Sequence, residues 1–296
     1  MITAENPVVQ EVRSAVNETA LAFHLSAVTT TNEQLLVPST YQILEPGFRP
    51  FRAGKASPEE LQAELDLTIS LAEERGVSIG IESRDSVTKL MLQQGLGIDC
   101  SNFAFRALSL AQDNLQLPPY VASVFRDAAE IQALHDTGKW TPVSKDGSAR
   151  ELSRKEASQL HDNELVTIEW VCDVFGKDPE FVTGSSQICD TNATVAVVPE
   201  ELLPGDLIAF RSAPSQKISH VGVAEEVVQK NGVVTVGFWH SWHTRDFASG
   251  LRRDTVRVNA DHELQWSHQG LGDTERYDQH TFRRPAALAL RYAELG

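Results

Sequence analysis

The stretch "GIDCSNFAFRAL", residues 97–108, places one cysteine between an aspartate and a serine at the start of an apolar pattern. The pattern has a helical period of three and four residues, which predicts an amphipathic helix that begins near Cys100. A lone cysteine at a helix start is often only a small buried residue. The alternative is a nucleophile, because the N–H groups and the dipole at a helix N-terminus favour the thiolate and lower the thiol pKa.

The composition limits the function classes that this helix can serve. The chain has 296 residues, 41% of them hydrophobic, enough for one large domain or two small ones with a sizeable core. A net charge of −15 disfavours nucleic acid as a partner. No segment reaches the roughly 18 apolar residues of a membrane span. The first residues are partly acidic and lack a long apolar run, so we expect no signal peptide, and either a cytoplasmic location or export by a non-classical route.

Helical signals dominate the chain before residue 195. Residues 57–76 begin with a Ser-x-x-Glu capping box and end at a glycine, which predicts a helix. The same box predicts a second long helix over residues 153–176. Residues 1–56 are interpreted as one amphipathic helix followed by a loop rich in proline and glycine.

Strand signals dominate the rest of the chain. Three β-branched segments, at 195–211, 218–228 and 233–242, alternate with turn residues, and Asn231-Gly232 predicts a tight hairpin between the last two. Residues 254–258 and 286–295 are candidates for further strands. Helices followed by an antiparallel sheet predict the α+β class.

Two histidines on this hairpin complete a candidate site. His220 lies in an otherwise apolar strand, and His240 lies in the partner strand, where it could orient His220 as the base for Cys100. A satisfied core or surface histidine is the structural alternative for each. His240 and His243 could also belong to a metal patch, but no third ligand stands at useful spacing, so we predict no metal and no other cofactor.

Four segments, in the same order along the chain, resemble the signatures of the NlpC-type cell-wall cysteine peptidase superfamily: "GIDCSNF" (97–103), "LLPGDLIAF" (202–210), "SHVGVA" (219–224) and "WHSW" (239–242). The resemblance covers roughly residues 95–245. It implies a papain-like core in which the cysteine at a helix N-terminus packs on an antiparallel sheet. It divides the chain into a helical N-terminal extension, residues 1–90, and a catalytic domain, residues 91–296, with a helical insertion at about 112–195.

The same resemblance implies roles for individual residues. Cys100 would be the nucleophile, His220 the base and His240 its orienter. Asp99 and Ser101 match positions that help to hold the free amino end of a substrate, and a carboxylate beside a hydroxyl suits an ammonium group.

The third member of the triad depends on the register of the hairpin. A two-residue turn at Asn231-Gly232 pairs His220 with His243, whereas a one-residue bulge brings His240 to the His220 face. Sequence similarity favours His240, and we therefore expect a bulge near Trp239.

These residues predict a thiol hydrolase that cleaves an amide bond through a thioester, and the resemblance implies a cysteine peptidase or amidase that acts on peptidoglycan stem peptides. An acyltransferase with the same triad and a non-catalytic module that binds wall peptides are the alternatives. The other cysteines are interpreted as a core residue, Cys172, and a loop thiol, Cys189, and a disulfide between them stays open.

Overall fold

A seven-stranded antiparallel sheet carries the histidines, as seen in a computed structural model that describes residues 3–42, 54–76, 80–120, 125–161, 165–211, 217–242, 250–259, 263–266 and 279–295. Its strands are β7 (Thr194–Val197), β8 (Leu207–Arg211), β9 (Ile218–Lys230), β10 (Val233–Trp242), β11 (Gly250–Val258), β12 (Leu264–Trp266) and β13 (Gln279–Pro285). They lie in the order β12-β11-β10-β9-β8-β13-β7. The predicted hairpin is therefore the central pair β9–β10, confirmed with its turn at Asn231 and Gly232.

Helices precede this sheet, and one follows it. They are α1 (Pro7–Ala22), α2 (Pro58–Glu74), α3 (Arg84–Gln94), α4 (Cys100–Asn114), α5 (Ala128–Asp136), α6 (Arg154–His161), α7 (Ile168–Phe175), α8 (Pro179–Val182), α9 (Ser185–Ile188) and α10 (Ala286–Ala293). Three small pairings complete the fold: the hairpin β1 (His24–Val28) with β2 (Gln34–Pro38), the parallel pair β3 (Thr40–Tyr41) with β4 (Gly97–Ile98), and β5 (Phe125–Asp127) with β6 (Leu165–Thr167). The α+β class is confirmed. Within the described ranges, no helix is long and apolar enough to cross a membrane.

A capping box in the sequence predicted a helix correctly where no strand pairing interrupts the segment. Helix α2 begins after Ser57, whose side chain accepts a hydrogen bond from the Glu60 backbone, as the capping box predicts. The prediction of a single helix over residues 153–176 is wrong. The segment is divided into α6 and α7 because the short strand β6 pairs with β5. In addition, the Thr167 side chain accepts a hydrogen bond from the Trp170 backbone and so caps a new helix.

Two further predictions of local structure need correction. The first 56 residues do not form one helix and a loop, because the hairpin β1–β2 follows α1; the predicted N-terminal extension, 1–90, is therefore not wholly helical. Part of the predicted loop, residues 43–53, lies outside the described residues. The strand predicted over 286–295 is wrong: Ala286–Ala293 form helix α10, because Leu288 and Tyr292 are buried at the helical spacing of four.

Helix α4 lies at the centre of the main core. It packs against α1 on one side and against β9 and β10 on the other. Alternate residues of β9, Val221 and Val223, are buried in the same cluster as Cys100 and the apolar face of α4. A second cluster, around Phe210 and Phe238, lies on the other face of the sheet. The start of α4 is thereby fixed against the strand that carries His220.

Candidate active site

Cys100 is the first residue of α4, as the sequence predicts. Strand β4 ends at Ile98, and Asp99 then caps the helix by accepting a hydrogen bond of 2.6 Å from the Asn102 backbone N–H. Cys100 is buried, with 3% of its surface exposed. The surrounding groups therefore shield the thiol almost completely from solvent.

Within the described residues, two groups hydrogen-bond to the sulfur of Cys100. The hydroxyl of Ser185, at the start of α9, lies 3.4 Å from Sγ, and the backbone of Val221, the residue after His220, hydrogen-bonds to it. Burial and the negative charge of Asp99 nevertheless raise the pKa of the thiol to about 11. The sequence-based expectation of a lowered pKa is therefore wrong, because loss of hydration outweighs the helix terminus and the two hydrogen bonds.

The two histidines meet through an irregularity in the hairpin. Gly237 pairs with Glu226, but Phe238 pairs with Ala224, so Glu225 is the extra residue of a β-bulge. The predicted bulge is confirmed close to Trp239. After it, the Nε2 atom of His220 and the Nδ1 atom of His240 are 2.9 Å apart. His243, the alternative, lies outside the described residues.

Asp254 on β11 extends this pair, and the sequence analysis missed it. Its Oδ2 atom lies 2.9 Å from Nε2 of His240, and the Arg252 guanidinium donates to the same oxygen. Burial raises the pKa of Asp254, but the hydrogen bonds from His240 and Arg252 outweigh it and bring the pKa to about 2. The one acidic residue in a strand that holds three arginines was the available signal.

The charge of Asp254 sets the tautomer of both rings. A carboxylate can only accept, so the Nε2 atom of His240 carries a proton and its Nδ1 atom accepts from Nε2–H of His220. This leaves Nδ1 as the basic nitrogen of His220. Burial, as the largest cause, lowers the pKa of both histidines, so both rings are neutral at pH 7.

Strand β10 also shields the histidine pair and contacts the segment that leads into α4. The ring centroid of Trp242 lies 4.4 Å from that of His220 and 5.1 Å from that of His240, which keeps water away from their hydrogen bond. Between these residues, the Ser241 hydroxyl donates a hydrogen bond of 2.8 Å to the Ile98 carbonyl, two residues before Cys100. These contacts join β10 to the start of α4. Among the described residues, however, no hydrogen bond joins Cys100 to His220. The His220 ring packs against Phe210 of the second cluster, while the next residue, Val221, faces α4.

The two predicted substrate contacts, Asp99 and Ser101, already hold an ammonium group of the protein. The Nζ atom of Lys55 lies 2.8 Å from Oδ2 of Asp99 and 2.5 Å from the Ser101 hydroxyl. It also donates to the Thr183 carbonyl at 2.8 Å. The sequence analysis missed this lysine, which gives no local signal because it belongs to the short segment before α2.

The remaining predictions concern thiols and metals. Cys172 and Cys189 are both free thiols, so the disulfide that the sequence left open is not formed. In the part of the chain that the structure describes, no group of three or more histidine, cysteine, aspartate or glutamate side chains is placed to hold a metal ion.

Comparisons with known proteins add no assignment. No protein-family model matches the chain, and no significant match is found among curated proteins or among solved structures. The functional conclusion therefore depends on the residues and their geometry.

Proposed function

We propose that the chain is a papain-like cysteine hydrolase of the NlpC type, which cleaves an amide bond through a thioester. The observation that supports it best is the hydrogen-bonded series from Asp254 through His240 to His220, beside Val221, whose backbone contacts the sulfur of Cys100. A nucleophile, a base and a group that orients the base are the three parts that thiol catalysis needs.

The reaction begins with a neutral thiol and a neutral imidazole. The proposed reaction requires that the thiol proton reach Nδ1 of His220 as the sulfur of Cys100 attacks the substrate carbonyl. The Nε2–H of His220 stays bound to His240, and the Asp254 carboxylate stabilises the positive charge that develops on the rings. The backbone N–H groups of Cys100 and Ser101, in the first turn of α4, lack helical partners and would stabilise the oxyanion.

Collapse of the tetrahedral intermediate completes acylation. The imidazolium of His220 gives its proton to the leaving amine, the C–N bond breaks, and the acyl group stays on Cys100 as a thioester. A water molecule, deprotonated by His220, then attacks the thioester and releases a carboxylic acid and the thiol. Peptidoglycan stem peptides are the substrate class that the motif resemblance indicates.

Mass spectrometry of peptidoglycan fragments incubated with the protein in ¹⁸O-water tests this function. We expect a new amine and a new carboxylic acid that carries one ¹⁸O atom. Cys100→Ala should abolish both products, whereas Cys172→Ala, which removes a half-buried thiol outside the proposed site, should not. Equal product formation by Cys100→Ala would contradict the proposal.

A further inference from the structure

Lys55 is a buried lysine whose ammonium group donates hydrogen bonds to three acceptors beside the proposed nucleophile. Only 9% of the residue surface is exposed. Its three N–H donors match three acceptors, the carboxylate of Asp99, the hydroxyl of Ser101 and the carbonyl of Thr183. Asp99 and Ser101 flank Cys100 in the chain, so this ammonium lies within the proposed active site.

The segment that carries Lys55 is fastened to the first turn of α4 on both sides. The Gly54 carbonyl accepts from the Asp99 backbone N–H and from the Asn102 side-chain amide, each at 3.0 Å. The same amide donates to the Ala56 carbonyl at 2.9 Å. Gly54 has a φ of +78°, and a Cβ there would lie 2.3 Å from the Gln42 carbonyl oxygen. The position of Lys55 is therefore built into the fold at several points.

We infer that Lys55 permanently fills the ammonium position beside Cys100, so the enzyme acts on substrates that carry no free amine there, such as N-acylated or chain-internal peptides. This inference rests on the proposed hydrolase function. A substrate ammonium would meet a like charge and would find the acidic, hydroxyl and carbonyl acceptors already occupied. An acylated amino group brings no charge and needs none of these acceptors.

Lys55 also affects the nucleophile directly. The charge of Asp99 raises the pKa of the Cys100 thiol, and the charge of Lys55 lowers it. Replacement of Lys55 by a neutral residue should therefore raise the pKa of Cys100 and move the alkaline limb of the pH–rate profile to higher pH. Simple loss of packing would not cause this shift.

A matched pair of peptides tests the inference. The substrates are an alanyl-γ-D-glutamyl-lysine peptide with a free amino terminus and its N-acetyl form. For the wild-type chain we expect kcat/KM to be at least about tenfold higher for the acetyl form. In Lys55→Ala the ratio should fall to about one or reverse, whereas Lys230→Ala, an exposed lysine at the hairpin end, should keep the wild-type ratio.

A second measurement tests the ammonium position without turnover. n-Propylammonium replaces the atoms that Lys55→Ala removes, and it should raise the thermal midpoint of this variant but not that of the wild type. No such stabilisation, or equal cleavage of both peptides by the wild type, would overturn the inference while the hydrolase function stands. If propylammonium stabilises the variant but neither peptide is cleaved, the hydrolase function fails, and the substrate inference fails with it.

Discussion

At the scale of single residues, one carboxylate sets the tautomers of the two histidines. Asp254 can only accept a hydrogen bond, and this fixes His240 and then His220 in the tautomer that presents Nδ1 as the base. Arg252 keeps the carboxylate charged by donating to the same oxygen. The orientation of the hydrogen bonds in this series is thus set by Asp254, at the end remote from His220.

Asp254→Asn preserves the size of this group but allows it to donate a hydrogen bond. Because His240 can then adopt the wrong tautomer, we expect kcat/KM to fall by about 10²–10⁴ while the protein stays folded. Steady-state kinetics on an N-acetylated peptide measure this. Asp146→Asn, in an exposed turn, is the control and should keep full activity. A folded Asp254→Asn protein with normal kinetics would exclude the orienting role.

The buried thiol leads to a second prediction at this scale. Because burial and Asp99 raise the pKa of Cys100 to about 11, iodoacetamide should label it slowly at pH 7. The labelling rate should rise about tenfold per pH unit between pH 8 and 10, in proportion to the thiolate fraction. Mass mapping of the alkylated cysteines follows this rate. Rapid labelling that is already independent of pH near neutrality would show that the thiol is activated in the resting protein.

At the scale of elements, the bulge in β9 is the feature that joins the two histidines. Its extra residue, Glu225, is 3% exposed and accepts from Arg13 and Asn17 on α1 and from Arg253 on β11. The bulge is therefore held by a helix on one side and a strand on the other. This explains why the register changes at this position and not elsewhere in the hairpin.

Glu225→Gln should destabilise the protein by about 1–3 kcal/mol, because it weakens buried hydrogen bonds to charged groups. The matched control is Glu226→Gln. Glu226 contacts the same two arginines, but its side chain is 41% exposed, so we expect a loss below about 1 kcal/mol. Urea denaturation of both variants measures the difference. Equal losses would mean that the bulge residue has no special part in holding the hairpin.

Signals within a few residues of each other allowed much of this architecture to be predicted. The capping box of α2, the Asn-Gly turn and the apolar period after Cys100 are local, and the structure agrees with each. The bulge could also be anticipated, because only a shift of one residue brings His240 to the face of His220. Residues 153–176 failed as one helix because pairing with a distant strand overrode the local pattern.

At the scale of the whole molecule, the candidate site is formed by residues that are far apart in the sequence. Lys55 comes from the segment before α2, Ser185 from the inserted region, and Asp254 from a strand near the end of the hairpin sheet. Lys55 and Ser185 make these contacts with residues far away in the sequence, and the nearby Arg252 that donates to Asp254 does not by itself identify a site. Motifs in the sequence single out Cys100 and His220 as the proposed nucleophile and base, whereas the positions of Lys55, Ser185 and Asp254 beside them depend on tertiary contacts.

Burial of two neutral histidines makes the stability of the whole protein depend on pH. The pKa values of His220 and His240 are lowered in the folded state, whereas in the unfolded chain they are near 6.5. The unfolded chain therefore binds more protons below about pH 6.5, and stability is lost as pH falls. Each histidine contributes a slope that approaches about 1.4 kcal/mol per pH unit.

Urea denaturation between pH 7.5 and 5.5 measures this slope. His220→Asn should reduce it to about half, whereas His161→Asn, an exposed histidine, should leave it unchanged. Asp254, whose pKa is about 2, contributes to acid destabilisation only below about pH 4 and does not affect this window. Stability that is constant over this range would contradict the burial of two neutral rings.

The most direct measurement of the central claim is the mass of the protein itself during turnover. The wild-type chain is mixed with an N-acetylated peptide substrate, quenched in acid within milliseconds and analysed by intact-protein and peptide mass spectrometry. We predict an acyl adduct on Cys100 that is absent in His220→Ala. An adduct on Cys172 or Cys189, or release of the amine product with no acyl-enzyme at any cysteine, would contradict the account.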